Sequence, residues 1–240
     1  MKTIQIAAFA LNAALYVALG VLLYSVFPIS FGGVRFWPQV IIPAVFAVVF
    51  GPWVGGLGAA LGIFISDVTL GGSPLLSLMA GITSNFLAFW LIGYVANKKI
   101  DLKKSTVIYG ALTAVCASVA YVYTSLIYVG VIIGCYVVYL AIVWGRSKWV
   151  SYEIGSVVGL LAGSLIIGFM VPLYAVLFAP TITTLPSLTT TGILAEFTWT
   201  FATEIPFLLV LGPPIIGAIN LAFPALTKRE NQVTYSETNR

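Results

Sequence analysis

Residues 31–67 read FGGVRFWPQVIIPAVFAVVFGPWVGGLGAALGIFISD, and the architecture of the rest of the chain follows from them. Two apolar runs, 40–50 and 54–66, are separated by a turn that contains Gly51 and Pro52. Glycine suits the end of a helix, and proline suits the first position of the next, where its missing N–H is not needed. We therefore predict two short antiparallel helices. Each would be about 20 Å long, which is less than the hydrocarbon core of about 30 Å, so larger neighbours must shield the pair.

The second of these helices carries small residues at intervals of four. They form two lines along the helix: Gly51, Gly55 and Ala59 on one, and Gly58, Gly62 and Ser66 on the other. Small residues at this spacing let helix backbones approach closely inside a membrane. The two lines therefore predict two packing faces, which by themselves indicate no function.

The combination of an apolar run that ends in a Gly-Pro turn, a glycine-spaced helix and a closing aspartate resembles a known family. It is similar to the substrate-binding S components of energy-coupling factor (ECF) vitamin transporters, and the segment from Arg35 to Asp67 is most like their second and third helices. The resemblance implies a six-helix bundle that binds a vitamin, a precursor or a similar micronutrient from outside. It also implies docking on a transmembrane T component with two ATPase subunits.

The composition is that of an integral membrane protein. The chain has 240 residues, of which 60% are hydrophobic and 8% charged, whereas about 25% charged residues is usual in soluble domains. Proline and glycine lie within the apolar runs, and no strands with alternating polarity are evident, so the runs are predicted to be helices. The few basic residues lie in short loops, which favours an orientation signal over a nucleic-acid surface.

Several kinds of chemistry are excluded. The chain has no histidine, which excludes Ser-His hydrolysis and the HExxH metalloproteases, and it lacks the P-loop motif for ATP hydrolysis. Cys116 and Cys135 lie in apolar runs without a CxxC pattern, so we interpret them as small buried residues. We predict no enzyme activity, no cofactor and no metal site. Energy for any transport would have to come from a partner.

The apolar runs predict an all-α, polytopic membrane bundle of about eight transmembrane helices in one domain. Residues 1–97 form helices one to four, 105–145 an inserted hairpin that turns near 121–125, and 153–225 the last two helices. The last span, 193–225, is predicted to break at Pro206 and at Pro213-Pro214. A polar cytoplasmic tail is predicted over 226–240. The hairpin has no counterpart in the six-helix pattern of the family.

The basic residues predict a protein of the cell membrane with both termini in the cytoplasm. In the eight-span arrangement every Lys and Arg except Arg35 lies inside, including the cluster at 98–104. If 40–66 formed a single kinked span, an outside N-terminus would leave only Lys2 on the wrong side. Charge therefore leaves the number of spans open at seven or eight, and the Gly-Pro break favours eight.

The first helix carries an alanine stripe formed by Ala10, Ala14 and Ala18. Such a stripe is compatible with simple packing, but by resemblance it corresponds to the family's contact with the T component. Asn12 and Tyr16 lie on another face of this helix and are predicted to point into the bundle.

The candidate substrate-binding residues gather near the outer face. They comprise Arg35, Trp37 and Asp67, Asn85 in the fourth helix, and Glu196, Trp199, Thr200 and Glu204, whose spacing places them on roughly one face of the last helix. Glu204 lies about 12 Å deeper than Glu196 by helical rise. A cavity walled by aromatic rings with a few convergent polar groups is the usual form of a small-molecule site. Because acids outnumber bases, we predict a neutral or cationic nitrogen heterocycle.

Each of these residues also has a structural interpretation. Arg35 and Asp67 could form a plain salt bridge, Glu196 could be solvated at the interface, and Trp37 could belong to an interfacial belt. Glu204 could bond to helix groups beside Pro206.

Two functions remain from the sequence. The first is a binding subunit that delivers a micronutrient to an ATP-driven ECF module. The alternative is a self-sufficient carrier or channel that uses Glu204 and Asp67 for proton or cation coupling. No inverted repeat is evident, and Glu204 is the only deep acid that the sequence indicates, which favours the first function. A membrane enzyme is disfavoured, because Glu196 and Glu204 differ in depth and make a poor acid–base pair.

Overall fold

The chain folds into an all-α membrane bundle in a computed structural model that describes residues 3–224. The predicted tail at 226–240, and Lys2, lie outside the described residues. The helices are α1 (Thr3–Val26), α2 (Ile41–Phe50), α3 (Pro52–Thr69), α4 (Pro74–Leu76), α5 (Thr83–Ala96), α6 (Leu102–Tyr123), α7 (Leu126–Gly145), α8 (Val150–Phe178) and α9 (Thr190–Ala222). A π-helical segment, Ser77–Ile82, joins α4 to α5 into one rod. The strands β1 (Ser30–Phe31) and β2 (Val34–Arg35) form a small antiparallel hairpin.

The predicted fold class is confirmed. Within residues 3–224, seven helices are long and apolar enough to cross a membrane, and the segment Pro38–Phe50 adds a shorter apolar helix. The connections alternate between two ends of the bundle. We call them the Arg35 end, which carries the β-hairpin and the 179–189 loop, and the Lys98 end, which carries the loops at 97–101 and 146–149.

The Gly-Pro break is where the sequence predicts it. Gly51 adopts φ +101°, a conformation that glycine reaches without strain, and α3 begins with Pro52. The two helices fold back on each other and pack closely at Gly55. A side chain at this position would overlap Ala47 of α2. The first small-residue line therefore closes the α2–α3 hairpin.

The second small-residue line packs against α1. A Cβ atom at Gly58 would overlap the Asn12 amide, and one at Gly62 would meet the Tyr16 ring. The Asn12 side chain donates to the carbonyl oxygens of Val54 at 3.0 Å and Gly55 at 3.3 Å. Asn12 and Tyr16 are buried in the bundle, as predicted.

Replacing Gly58 with valine should destabilise the α1–α3 interface. The added side chain must displace Asn12 from its two carbonyl partners, and overpacking of this kind costs about 1–3 kcal/mol. We expect a lower midpoint of thermal unfolding for the purified protein. The matched control is Gly134→Val on α7, since a Cβ there meets no atom of the described chain within 4 Å. Equal effects of the two variants would contradict close packing at Gly58.

Helix α8 packs against α5 through a third glycine line. Side chains at Gly155, Gly159 and Gly163 would run into the backbone of α5 around Ile92, Ala88 and Ser84. The backbones of α5 and α8 therefore approach closely along this line, and its last residue, Gly163, borders the cavity described below.

The hairpin formed by α6 and α7 turns at Thr124 and Ser125, within the predicted interval, and packs on α8 and α9. Tyr139 of α7 pairs with Ser105 of α6 at 2.9 Å between their hydroxyl oxygens. Cys116 and Cys135 are both free and buried, which confirms their interpretation as small core residues.

The last helix corrects the sequence analysis. α9 runs without a break from Thr190 to Ala222 and contains Pro206, Pro213 and Pro214, so the predicted breaks are wrong. The carbonyl groups that these prolines leave without a helical donor are those of Ala202, Leu209 and Val210. Between Pro206 and Pro213 the helix is also joined to α8, where the Tyr152 hydroxyl donates to the Leu208 carbonyl at 2.8 Å.

Candidate functional site

A cavity opens among the helices near the Arg35 end. It encloses about 830 Å³, including its open mouth, and its walls come from α1, α3, the 74–96 rod, α8, α9 and β2. Six of the eight residues predicted for substrate binding line it: Arg35, Trp37, Asp67, Asn85, Thr200 and Glu204. The structure therefore brings together side chains that are up to 169 positions apart in the sequence.

An ion pair lies on the cavity wall. Arg35 Nη1 is 2.6 Å from Asp67 Oδ1, and the two side chains are 15% and 18% exposed. The Ser77 hydroxyl donates to the other Asp67 oxygen at 2.6 Å, and the Arg35 guanidinium lies 5.1 Å from the centre of the Tyr24 ring. The salt bridge left open by the sequence is present, and its charges compensate each other within the protein.

The π-helical segment shapes the wall beside this pair. It begins at Ser77, and a helix that widens by one residue per turn is frequent at functional sites. Just beyond the end of this segment, the Asn85 amide donates to the Gly81 carbonyl at 3.0 Å and accepts from the Tyr16 hydroxyl at 2.8 Å. The deep amide thus has partners on both sides, which offsets the cost of burying it.

Aromatic rings form another part of the wall. The Tyr16 ring meets Trp37 edge-on at 6.3 Å between centroids and Phe89 at the same distance on its other side. All three rings are buried, so Trp37 does not belong to an interfacial belt. This wall offers ring edges and faces to a bound molecule.

Helix α9 contributes the polar groups without partners. The Glu204 side chain is 8% exposed and forms no hydrogen bond or ion pair with any described residue, so no bond to helix groups near Pro206 is present. Thr200, 5% exposed, and Ser164 of α8 also line the cavity, and their hydroxyl oxygens lack partners in the described chain. These three side chains can therefore form hydrogen bonds with a molecule in the cavity.

Two predicted site residues, Glu196 and Trp199, lie outside the cavity. Trp199 Nε1 donates to the Val34 carbonyl at 3.2 Å, and its ring lies 5.8 Å from that of Phe31. Successive helical residues point about 100° apart, so Trp199 supports the β-hairpin while its neighbour Thr200 faces the cavity.

Glu196 is 0% exposed, which argues against the alternative interpretation that it is solvated at the interface. Its carboxylate lies against the hairpin turn at Gly32, where φ is +55° and a Cβ atom would overlap the carboxylate. Only glycine allows the hairpin tip to close over this acid.

Glu153 is a further buried acid, which the sequence analysis used only to mark the start of a span. It is 0% exposed, and neither carboxylate oxygen has a hydrogen-bond partner among residues 3–224. It follows Tyr152, which contacts α9 one turn beyond Glu204 toward the Lys98 end. The described chain therefore buries three acids without a basic partner, at Glu153, Glu196 and Glu204, where the sequence indicated one deep acid.

The sequence analysis did not assign Ser77, Phe89 and Ser164 to the site, and it placed Tyr16 in the interior without a role. Ser164 directly follows Gly163 in the sequence, so the glycine spacing of α8 could have drawn attention to it. Ser77 had no such signal, because its partnership with Asp67 depends on the π-helical segment.

The cavity is suited to hold a small organic molecule. Its aromatic rings, unpaired hydroxyls and single unpaired carboxylate are binding groups, and among the described residues no cluster of three or more His, Cys, Asp or Glu could hold a metal ion. No protein-family model, curated protein or solved structure gives a significant match to this chain.

Proposed function

We propose that the protein is a membrane-embedded binding subunit for the uptake of a small micronutrient, such as a vitamin or a vitamin precursor. The observation that carries the proposal is the cavity at the Arg35 end, with its buried aromatic and polar lining. Ligand sites commonly combine apolar walls with a few placed polar groups. Binding, without chemical conversion of the ligand, is the role proposed.

The energy for uptake is proposed to come from an ECF module, with a transmembrane T component and two ATPase subunits. The chain has no nucleotide-binding motif of its own. Ala10, Ala14 and Ala18 of α1 are exposed, and the 102–145 hairpin packs on α8 and α9. The stripe is therefore available for a helix of another subunit, which small side chains would allow to approach closely.

The cavity is proposed to open to the outside of the cell membrane. Among the described residues the basic side chains lie at the Lys98 end, except for Arg35 at the other. Basic loops stay preferentially in the cytoplasm, so the Lys98 end is assigned there. Helix α1 begins at that end and α9 ends at it, which supports the proposal that both termini lie in the cytoplasm.

A self-sufficient carrier is the second candidate. Glu204 and Asp67 line the same cavity, and Glu153 adds a buried acid nearer the Lys98 end. Intramembrane acids without partners are typical of proton and cation pathways. Asp67, however, already pairs with Arg35 and Ser77, which leaves Glu204 as the free carboxylate of the cavity and favours the binding subunit.

Co-purification of the tagged protein from its native membrane tests the proposal. We expect mass spectrometry to detect a T-type membrane subunit, ATPase subunits and a bound small molecule. Recovery of the protein without ATPases, combined with uptake by the protein alone in liposomes, would instead support the carrier.

A further inference from the structure

The charged side chains that line the cavity do not neutralise one another completely. Its ionisable lining residues are Tyr16, Arg35, Asp67 and Glu204. Arg35 and Asp67 compensate each other at 2.6 Å. The carboxylate of Glu204 has no basic partner in the described chain, so when ionised it leaves the cavity with one net negative charge.

Most of the neighbouring donors already have partners, and the indole N–H of Trp37, which has no hydrogen-bond partner among the described residues, carries no charge. The Tyr16 hydroxyl donates to Asn85, and the Asn85 amide donates to the Gly81 carbonyl. The Ser77 hydroxyl donates to Asp67. The unpaired hydroxyls of Thr200 and Ser164 can donate or accept, but they carry no charge. A buried carboxylate without compensation is strongly unfavourable unless it takes up a proton, so a positively charged occupant of the cavity would stabilise the ionised form of Glu204.

We propose that this occupant is an organic cation, a protonated or quaternary nitrogen compound whose charge is neutralised by Glu204. The inference rests on the proposed binding function and narrows its substrate class. The rings of Tyr16, Trp37 and Phe89 on the same wall suit such a ligand, because aromatic faces attract cations.

An inorganic cation fits the cavity poorly. Hard metal ions take about six to eight oxygen ligands, whereas the described residues contain no cluster of acids that could hold a metal. The cavity also encloses far more space than one ion fills, and much of its wall is apolar. An organic molecule accounts for both the volume and the charge.

The test compares three probes of similar size on the purified protein: N-methylquinolinium, neutral quinoline and anionic quinoline-4-carboxylate. Binding is followed by tryptophan fluorescence. We expect wild type to bind the cation at least about tenfold more tightly than quinoline and to reject the anion. Glu204→Gln should weaken cation binding about 100-fold, as expected for a desolvated charge pair, and change quinoline binding by less than about threefold.

Glu153→Gln is the matched control. It makes the same substitution at another buried acid, which has no partner among the described residues and does not line the cavity. Glutamine preserves the shape of glutamate and removes an uncompensated charge, so both variants should fold, and thermal unfolding checks this. We expect Glu153→Gln to leave the preference for the cation unchanged.

The outcomes separate this inference from the binding function. Tightest binding of quinoline or the carboxylate, or a cation preference that survives Glu204→Gln, would overturn the inference and leave a small-molecule site in place. If no probe binds, the charge of the co-purified molecule decides, read from its retention on an ion exchanger: a cation supports the inference and an anion or neutral molecule overturns it. Failure of any molecule to bind or co-purify would overturn both proposals.

Discussion

Replacing Ala14 with phenylalanine is expected to abolish uptake while leaving ligand binding intact. Ala14 is exposed at the centre of the stripe on α1, and the binding cavity is lined from another face of the same helix through Tyr16. A ring at this position would hold a docking helix away. Overpacking costs about 1–3 kcal/mol, and 1.4 kcal/mol is about tenfold in affinity, so affinity for the partner should fall about 10- to 100-fold.

The measurement is the amount of T component and ATPase recovered with the tagged variant, together with the amount of bound small molecule. Ala114→Phe is the control, because Ala114 is an exposed alanine on α6 of the inserted hairpin. We expect the control to keep both partners and ligand. Loss of bound ligand in Ala14→Phe would show instead that the stripe stabilises the bundle. Full uptake by the variant would favour the self-sufficient carrier.

Local chemistry made the fold predictable from the sequence. Gly51 and Pro52 can end one helix and begin the next, and the structure breaks there. The glycine spacing of α3 indicated two packing faces, and the structure uses one for α2 and one for α1. The turn at Thr124 and Ser125 also fell within the predicted interval. In each case the determining groups are neighbours in the chain.

The prolines of α9 show where such local reasoning fails. Pro206, Pro213 and Pro214 predict breaks because each removes a backbone donor. Whether the helix continues depends on its packing against neighbouring helices, and here α9 stays helical through all three prolines while Tyr152 of α8 donates to the Leu208 carbonyl. That contact joins residues 56 positions apart, and no local pattern indicates it.

The site was partly predictable for a related reason. Strongly polar residues in a membrane helix are costly, which was sufficient to select Asn85 and Glu204, and helical spacing added Thr200. The direction in which these side chains point could not be predicted. Both the lipid-facing and the core-facing sides of a membrane helix are apolar, so hydrophobic periodicity does not distinguish one side from the other. Trp199 was therefore grouped with Thr200, although it faces the β-hairpin.

Replacing Arg35 with methionine is expected to destabilise the protein strongly. The change leaves Asp67 on the cavity wall with only the Ser77 hydroxyl as a partner, and it adds a second uncompensated charge to that of Glu204. Removal of one partner from a buried ion pair costs about 3–5 kcal/mol. Because the pair is 15% and 18% exposed, solvent screens part of the remaining charge, and we expect a loss of about 3 kcal/mol.

The double variant Arg35→Met/Asp67→Leu distinguishes charge from packing. It removes both charges, so it should recover most of the stability lost in Arg35→Met, with a coupling free energy of about 2 kcal/mol between the two positions. Thermal unfolding of the four proteins of this cycle measures that coupling. Additive losses would mean that the two side chains stabilise the Arg35 end independently. A coupled result would mean that the pair keeps the mouth neutral, which leaves Glu204 as the group that selects the charge of what enters.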